Sequence, residues 1–233
     1  METPQSQVVA LLPMKRHSAR VNNKNFRDFA GKPLFAWMLS ELLSVDEIDL
    51  IVINTDAVDL LADHSLMQSD RVLLRERPEE ICGDMVSMNL VIADDMNNVP
   101  ATTYLMTHTT NPLLRADTIR NAIAAYQAGV AEQSADSLFT VNKFQTRFYR
   151  EDGSAVNHDP KNLLRTQDLE PWYEENSNMY IFSKQSFAAT DARIGQKPIL
   201  FETPMLESVD IDDQAGWDLA ETLANSRKLA ASN

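Results

Sequence analysis

A cluster of basic side chains follows the first apolar run of the chain, which ends at Pro13. Four cations lie within ten residues: Lys15, Arg16, Arg20 and Lys24. Positioned cations can hold a triphosphate and stabilise the charge that develops on a leaving pyrophosphate. From spacing alone, a nucleotide-binding loop and a solvated basic loop are both acceptable interpretations. The sequence contains no Gly-x-x-x-x-Gly-Lys motif, which excludes a Walker-type ATPase.

Two carboxylates near the C-terminus could hold a metal ion. A strand predicted at 207–211 would direct Asp210 and Asp212 to the same face. Neighbouring carboxylates repel unless a cation lies between them, and their oxygen atoms suit Mg²⁺. The alternative is that Asp212 or Asp213 caps the helix that follows.

The composition describes an acidic globular protein. The 233 residues carry a net charge of −13, which argues against a nucleic-acid partner, since such a partner requires a basic face. The single cysteine, Cys82, excludes an internal disulfide framework and is typical of a reducing compartment. No apolar run is long enough to span a membrane, and the N-terminus lacks a signal-peptide pattern. We therefore expect a cytoplasmic protein with no membrane partner.

Predicted strands and helices alternate along most of the chain. Strands are predicted at 8–12, 49–53, 71–74, 103–107, 137–141, 178–182 and 207–211, and helices at 31–43, 58–63, 86–96, 117–127 and 214–229. The helix at 86–96 should carry its apolar residues Val86, Leu90 and Ala93 on one face. This alternation predicts an α/β fold with a doubly wound, mainly parallel sheet. Ligands bind such sheets beyond the carboxyl ends of the strands, so the loops after Leu12, Ile53 and Thr107 are the predicted site.

Taken in order, several short segments resemble the acylneuraminate cytidylyltransferase family, which includes CMP-sialic acid synthetases and relatives that activate Kdo, pseudaminic acid and legionaminic acid. The first matching segment contains Pro13, Met14, Lys15, Ser18, Ala19, Lys24 and Asn25. The others are Gly31-Lys32-Pro33-Leu34, Asn54-Thr55-Asp56, Arg77-Pro78-Glu79-Glu80 with Asp84, Thr109-Thr110-Asn111-Pro112-Leu113, Arg165-Thr166-Gln167-Asp168, Glu175-Asn176-Ser177-Asn178-Met179-Tyr180 and Asp210-Ile211-Asp212. Each segment is short, but their common order over nearly the whole chain is specific.

The resemblance implies one Rossmann-like domain over 1–233, with 143–177 as an insertion that forms a homodimer and contacts the sugar. It implies Mg²⁺ as the cofactor, and CTP and an acidic nine- or eight-carbon sugar as the substrates. The anomeric hydroxyl of a 3-deoxy-2-keto acid sugar would attack the α-phosphorus of CTP and release pyrophosphate.

The resemblance also implies roles for individual residues, carried over by position. Those expected in catalysis are Lys15, Lys24 and Asp212. Those expected to bind the nucleotide are Lys15, Ser18, Arg20, Lys24, Asn25 and Asp84. Those expected to bind the sugar are His108, Thr110, Arg165, Gln167 and Tyr180. The expected Mg²⁺ ligands are Asp210 and Asp212.

Four departures from the family pattern affect this interpretation. Lys15 replaces an arginine, which keeps the charge but loses the planar fork that grips phosphate. Ala19 replaces a lysine, although Arg20 could supply that charge. The segment 108–111 replaces Gln-Pro-Thr-Ser, which affects the expected sugar specificity. Ser177 replaces a glycine and would alter that turn.

Two other functions remain compatible with the sequence. The first is a nucleotidyltransferase of the same fold that uses another nucleotide and a sugar phosphate. The second is a nucleotide-binding homologue without catalysis, an idea motivated by Ala19. The pair Asp210 and Asp212 argues against the second, because a simple binding protein need not keep a metal site.

Overall fold

Short apolar runs form the strands of a central sheet, and amphipathic helices cover it. The computed structural model describes residues 7–18 and 20–231. The strands are β1 (Val8–Leu11), β2 (Asp28–Phe29), β3 (Lys32–Pro33), β4 (Leu50–Thr55), β5 (Val72–Glu76), β6 (Thr103–Thr107), β7 (Ser137–Phe144), β8 (Trp172–Phe182) and β9 (Pro198–Glu202). The helices are α1 (Leu34–Leu43), α2 (Val58–Leu61), α3 (Met88–Asn98), α4 (Ala116–Ala131), α5 (Lys184–Thr190) and α6 (Gln214–Ala231). None of the helices in this part of the chain combines the length and apolarity that a bilayer requires.

The central sheet has seven strands in the order β5-β4-β1-β6-β8-β7-β9. Strand β1 pairs in parallel with β4 and β6, whereas β8 runs antiparallel to both β6 and β7. The prediction of a doubly wound, mainly parallel α/β sheet is therefore confirmed. Because β1, β4 and β6 run in one direction, the loops that follow them meet at one edge of the sheet.

Alternating side chains on β1 fill cores on both faces of the sheet. Val8, Ala10 and Leu12 pack against α1 and α4 on one face. Val9 and Leu11 pack against α3 and α5 on the other. This period of two is what a strand covered on both faces requires.

Helix α6 closes the fold against the start of the chain. Trp217 is 1% exposed, and its ring lies edge-on to Phe29 at 5.2 Å. Ile211, just before α6, belongs to the same cluster. This packing holds the segment with Asp210 and Asp212 beside the basic loop.

The extension between β7 and β8 (residues 145–171) contains one short 3-10 turn, Thr166–Asp168, and two isolated bridges. Phe148 stacks on Trp172 at 5.5 Å, which packs the extension against the start of β8. Leu163 and Leu164 nevertheless stay at least half exposed. The insertion predicted at 143–177 therefore consists of this extension and the adjoining ends of β7 and β8.

The strand predicted at 207–211 is wrong. Met205–Glu207 forms a 3-10 turn, and the backbone N–H of Ile211 donates to the carbonyl of Thr110 at 2.9 Å instead of joining a strand. The last strand is β9, which the sequence analysis missed. It begins at Pro198 and lies at the edge of the sheet, where a proline is tolerated.

The apolar face predicted for α3 is not the face that is buried. Val86 precedes the helix and Leu90 is 55% exposed, while Val91, Ile92 and Met96 are buried. The helix begins two residues later than predicted, at Met88, with Ser87 accepting from the Asn89 N–H at its N-terminus. Ile92 and Met96 pack in the same cluster as Val9 and Leu11, whereas Val91 lines the cleft described below.

Candidate active site

A cleft of about 420 Å³ opens at the carboxyl ends of β1 and β6, as predicted, but the loop after β5 lines it in place of the predicted loop after Ile53. The basic loop after β1 forms one wall, residues 81–86 form a second, and the loop after β6 closes the base. Of the residues predicted from sequence, those lining it are Lys15, Ser18, Arg20, Lys24, Asn25, Asp84, His108, Thr110 and Asp212.

Asn25 holds the basic loop in a closed shape. Its side-chain amide donates to the carbonyl of Lys15 at 2.8 Å and accepts from the Thr109 hydroxyl at 2.6 Å. Asn25 is 4% exposed, so both bonds are shielded from water. The geometry gives Asn25 a role in joining the loops after β1 and β6, in addition to its place on the cleft wall.

Arg77 is a site residue to which the sequence analysis gave no role. Its guanidinium is buried and donates to the carbonyls of Met14 and Asn54 and to the Asn54 side chain. These bonds tie the end of β1 to the end of β4. The sequence shows an arginine shortly after a predicted strand, but it does not reveal which three oxygen atoms accept from that arginine.

The cations of the basic loop all have partners in the folded chain. Lys15 forms an ion pair with Asp84, and Arg20 lies 3.0 Å from a carboxylate oxygen of Asp212. Lys24 donates from Nζ to the carbonyl of Ile211 at 2.6 Å. These contacts bring together loops that are far apart in sequence.

Burial lowers the pKa of the Lys24 ammonium, and the Asp210 and Asp212 carboxylates oppose that shift. Burial likewise raises the pKa of Asp210, and the negative charge of Asp212 adds to this shift. The hydrogen bond from Lys15 holds the pKa of Asp84 below its usual range. The site thus places two carboxylates and a lysine within reach of one another's charge.

Asp210 and Asp212 offer oxygen atoms of the kind that bind a small hard cation, although only Asp212 lines the cleft. Oδ1 of Asp210 is buried and has no hydrogen-bond partner among the described residues, which makes it an available ligand. Asp213 caps α6, since it accepts from the Gly216 N–H at 2.8 Å. Asp213 is therefore the capping residue, and Asp212 lines the cleft. Within residues 7–18 and 20–231 no group of three or more metal-binding side chains occurs, so Mg²⁺ here would need phosphate oxygens and water to complete its shell.

His108 forms part of the base of the cleft. Burial lowers its pKa to about 4, and the charges of Arg193 and Lys24 act in the same direction. His108 is therefore neutral at physiological pH and can donate one hydrogen bond and accept another.

Three predicted sugar-binding residues are not in this cleft. Arg165 pairs with Asp168 of its own extension through two bonds of 2.7 and 3.0 Å. Gln167 lies in the same turn, with its carbonyl accepting from Gln145. Tyr180 is fully buried in the core, and its hydroxyl donates to Glu175. One protomer therefore does not bring Arg165, Gln167 or Tyr180 to the cleft wall.

Two departures from the family pattern have different outcomes. Ser177 has a φ of +57°, so a left-handed turn is kept although serine replaces glycine. It lies where the pairing of β7 with β8 shifts register. Ala19 lies outside the described residues.

An α/β sheet with a basic loop, a carboxylate pair and a cleft at its carboxyl edge defines a nucleotide-binding enzyme fold. Residues 9–232 match the sequence profile of the cytidylyltransferases, and the chain belongs to this family. It is therefore a cytidylyltransferase.

Curated relatives are distant but cover most of the chain. A CMP-N,N'-diacetyllegionaminic acid synthase of Legionella pneumophila is 25% identical over 93% of this chain and 95% of its own length. A pseudaminic acid cytidylyltransferase of Campylobacter jejuni is 23% identical over 92% of this chain and 95% of its own. An N-acylneuraminate cytidylyltransferase of Escherichia coli is 24% identical over 95% of this chain, but only 53% of that longer protein is matched.

Solved structures share the fold at lower identity. A CMP:2-keto-3-deoxy-manno-octonic acid synthetase complexed with CTP superposes with a TM-score of 0.65 at 13% identity, over 95% of this chain and 100% of the other. A 4-diphosphocytidyl-2C-methyl-D-erythritol synthase of Anaerococcus prevotii gives 0.65 at 12% identity, over 94% and 96%. These likenesses support the Rossmann-like α/β fold.

Proposed function

We propose that this cytidylyltransferase transfers CMP from CTP to the anomeric hydroxyl of an acidic 3-deoxy-2-keto sugar and releases pyrophosphate. The observation that carries the proposal is the meeting of the basic loop with the Asp210–Asp212 segment across one cleft, joined by the Lys24–Ile211 bond. The relatives named as synthases of CMP-activated acidic sugars support the acceptor class.

In this proposal the basic loop holds the triphosphate. Lys15 and Lys24 would exchange their present partners for phosphate oxygens. Arg20 would likewise exchange the Asp212 carboxylate for a phosphate oxygen. The sugar hydroxyl then loses its proton to water and its oxygen forms a bond to the α-phosphorus, while the bond from that phosphorus to the pyrophosphate oxygen breaks. Once they hold the triphosphate, these cations stabilise the charge that develops on the departing pyrophosphate. Ser18, Asn25 and Asp84 would shape the nucleotide subsite, and His108 and Thr110 the acceptor side.

Asp210 and Asp212 would hold Mg²⁺, for which the buried, unpartnered oxygen of Asp210 gives support. When bound, the ion supplies charge neutralisation at the reacting phosphates. The chain's own contribution is to keep both carboxylates in place through the packing of Ile211 and Trp217.

The active form in this proposal is a homodimer built on the extension between β7 and β8. Tyr149, Leu163, Leu164, Trp172 and Tyr173 are each at least two-fifths exposed there. Exposed apolar groups concentrated in one region commonly mark an interface. A partner's extension would bring Arg165 and Gln167 towards the cleft, where one protomer does not place them. The proposed location is the cytoplasm, which the single cysteine supports by composition.

Nucleotide choice tests this function against a transferase that uses another triphosphate. Pyrophosphate release should be measured with CTP, UTP and GTP, each with Mg²⁺ and a panel of 2-keto-3-deoxy acid sugars. We expect release with CTP that depends on the sugar. Equal release with UTP or GTP, or release that requires a sugar phosphate, would instead identify a nucleotidyltransferase that uses another nucleotide and a sugar phosphate.

A further inference from the structure

A second charged cluster, Arg193 with Tyr180 and Glu175, lies outside the lining of the cleft but close enough for the Arg193 charge to act on His108, and the sequence analysis gave Arg193 no role. Arg193 belongs to the loop between α5 and β9, and its guanidinium carbon lies 3.9 Å from the centre of the Tyr180 ring. Its Nη2 donates to the Tyr180 hydroxyl at 3.0 Å. The Arg193 side chain is only 22% exposed, so its charge is partly shielded from water.

Strand pairing puts this cluster on the same face of the sheet as His108. Met106 is paired with Tyr180 and Thr107 with Met179. Continuing the antiparallel register places His108 opposite Asn178, and alternate residues of β8 share a face. The ring of Tyr180, with Arg193 stacked on it, therefore lies directly along the strand from the base of the cleft.

The charges around His108 come from two sides. Lys24 belongs to the basic loop, and Arg193 belongs to the loop before β9; both positive charges act on the imidazole. A cleft that receives two anionic substrates needs separate cations for each, because the substrates repel when brought together. The basic loop supplies the cations on one side, and Arg193 supplies one on the other.

Arg193 retains unused hydrogen-bonding capacity. In the described part of the chain, its single hydrogen bond leaves from Nη2. The carboxylate of Glu175 is 3.6 Å away, which is too long for a hydrogen bond, and Glu175 already accepts from Tyr180. The remaining donors form a planar fork that matches a carboxylate in two places.

We propose that Arg193 binds the carboxylate of the acidic sugar and so determines the preference for acidic over neutral acceptors. This inference rests on the proposed function and names a residue for its acceptor subsite. Contact with Tyr180 orients the guanidinium, while Glu175 keeps it from turning away until the substrate's carboxylate replaces that longer ion pair.

The competing role is purely structural, in which Arg193 only holds Tyr180 in place. The two roles predict different responses to the charge of the substrate. A carboxylate-binding arginine discriminates between a sugar acid and the same sugar with its carboxylate converted to a primary amide. A packing arginine affects both substrates alike.

The test compares Arg193→Gln with the wild-type protein on these two substrates. We expect the KM for the sugar acid to rise by about tenfold to a hundredfold in the variant, because a charge-assisted bidentate contact is lost. The KM for CTP should stay unchanged. On the amide, both proteins should have the same KM. Arg193→Lys should recover part of the preference, since it keeps the charge without the fork.

Two further variants complete the design. Arg120→Gln removes an ion-paired arginine from α4, away from the cleft, and should leave both sugar KM values unchanged. Tyr180→Phe keeps the ring beneath Arg193 but removes the hydroxyl that accepts from Nη2, and should weaken the preference for the acid without abolishing it.

Equal losses of Arg193→Gln on acid and amide would overturn the inference while leaving the proposed function intact. If the wild-type protein forms no CMP conjugate with any sugar acid, the proposed function itself fails and this inference fails with it.

Discussion

Lys24 and Ile211, 187 positions apart in sequence, are joined by a bond of 2.6 Å from the lysine Nζ to the backbone carbonyl. The backbone N–H of Ile211 donates to the backbone carbonyl of Thr110, which lies in the loop after β6. One residue thus connects the basic loop, the base of the cleft and the segment that carries both carboxylates. Displacing any one of the three would disturb the other two.

Removing the Lys24 ammonium should impair use of the nucleotide. Lys24→Ala should lower kcat/KM for CTP by about tenfold to more than a hundredfold, since charge-assisted hydrogen bonds contribute about 1.5–3 kcal/mol each. Steady-state kinetics with CTP as the varied substrate measures this. Lys184→Ala, on the exposed surface of α5, is the matched control. Unchanged CTP kinetics would place Lys24 among the solvated cations.

The carboxylate pair can be separated from the helix cap that follows it. Asp212→Asn should abolish turnover and leave the fold intact, because the carboxylate would serve the metal ion. Asp213→Ala should do the opposite, costing about 1 kcal/mol of stability through the lost cap while keeping activity. Turnover and urea denaturation of each variant are the measurements. Near-normal turnover of Asp212→Asn at saturating Mg²⁺ would refute the metal assignment.

Asp95 and His108 should change the free energy of unfolding with pH in opposite directions. Burial raises the pKa of Asp95 to about 6, so its contribution is complete below its ordinary value of 3.8 and is lost as pH rises through 6. Burial lowers the pKa of His108 to about 4, so its contribution is complete above 6.5 and is lost as pH falls through 4. Each effect amounts to about 3 kcal/mol.

Unfolding free energies across this pH range check the compensation. The two slopes partly cancel in the wild-type protein. Asp95→Asn should therefore gain stability relative to wild type as pH rises from 4 to 6, and His108→Gln should lose it. Profiles of both variants that run parallel to wild type would show that neither group titrates as stated.

The extension between β7 and β8 should control association. Leu163→Asp places a charge on a side chain that is 64% exposed in the single protomer, and should convert a dimer into monomers if that side chain is buried at the interface. Light scattering on dilute protein reports the mass. Leu229→Asp, on an α6 side chain that is 71% exposed, is the control and should leave the mass unchanged. A fully active wild-type monomer at micromolar concentration would exclude the dimer proposal.

The parts of the fold that sequence predicted well are those where local pattern and burial agree. Strand β6 spans the predicted range, 103–107, because all five residues are buried in the middle of the sheet. Strand β9 contains the apolar run Ile199-Leu200-Phe201, but it begins at Pro198, which argues against a strand unless that strand lies at an edge. Its position at the edge of the sheet depends on tertiary pairing, which the sequence does not report. At Ile211 the backbone bonds to Thr110 and Lys24, and no local pattern reports such distant partners.

The candidate site was predictable where residues follow strand ends, and less so where tertiary contacts decide. The basic loop and His108 meet in one cleft because parallel strands end at the same edge. Arg77 acts through backbone carbonyls, which have no signature in sequence. Tyr180 follows the family pattern, yet the alternation of β8 directs it into the core.

The mass of the reaction product tests the central claim most directly. Purified protein should be incubated with CTP, Mg²⁺ and each of several 2-keto-3-deoxy acid sugars, and the masses of the products should be measured by mass spectrometry. The account predicts, for at least one sugar, an ion of CMP joined to the intact sugar acid, formed together with one pyrophosphate. CTP left unconsumed with every acid, or consumed without any sugar conjugate, would contradict it.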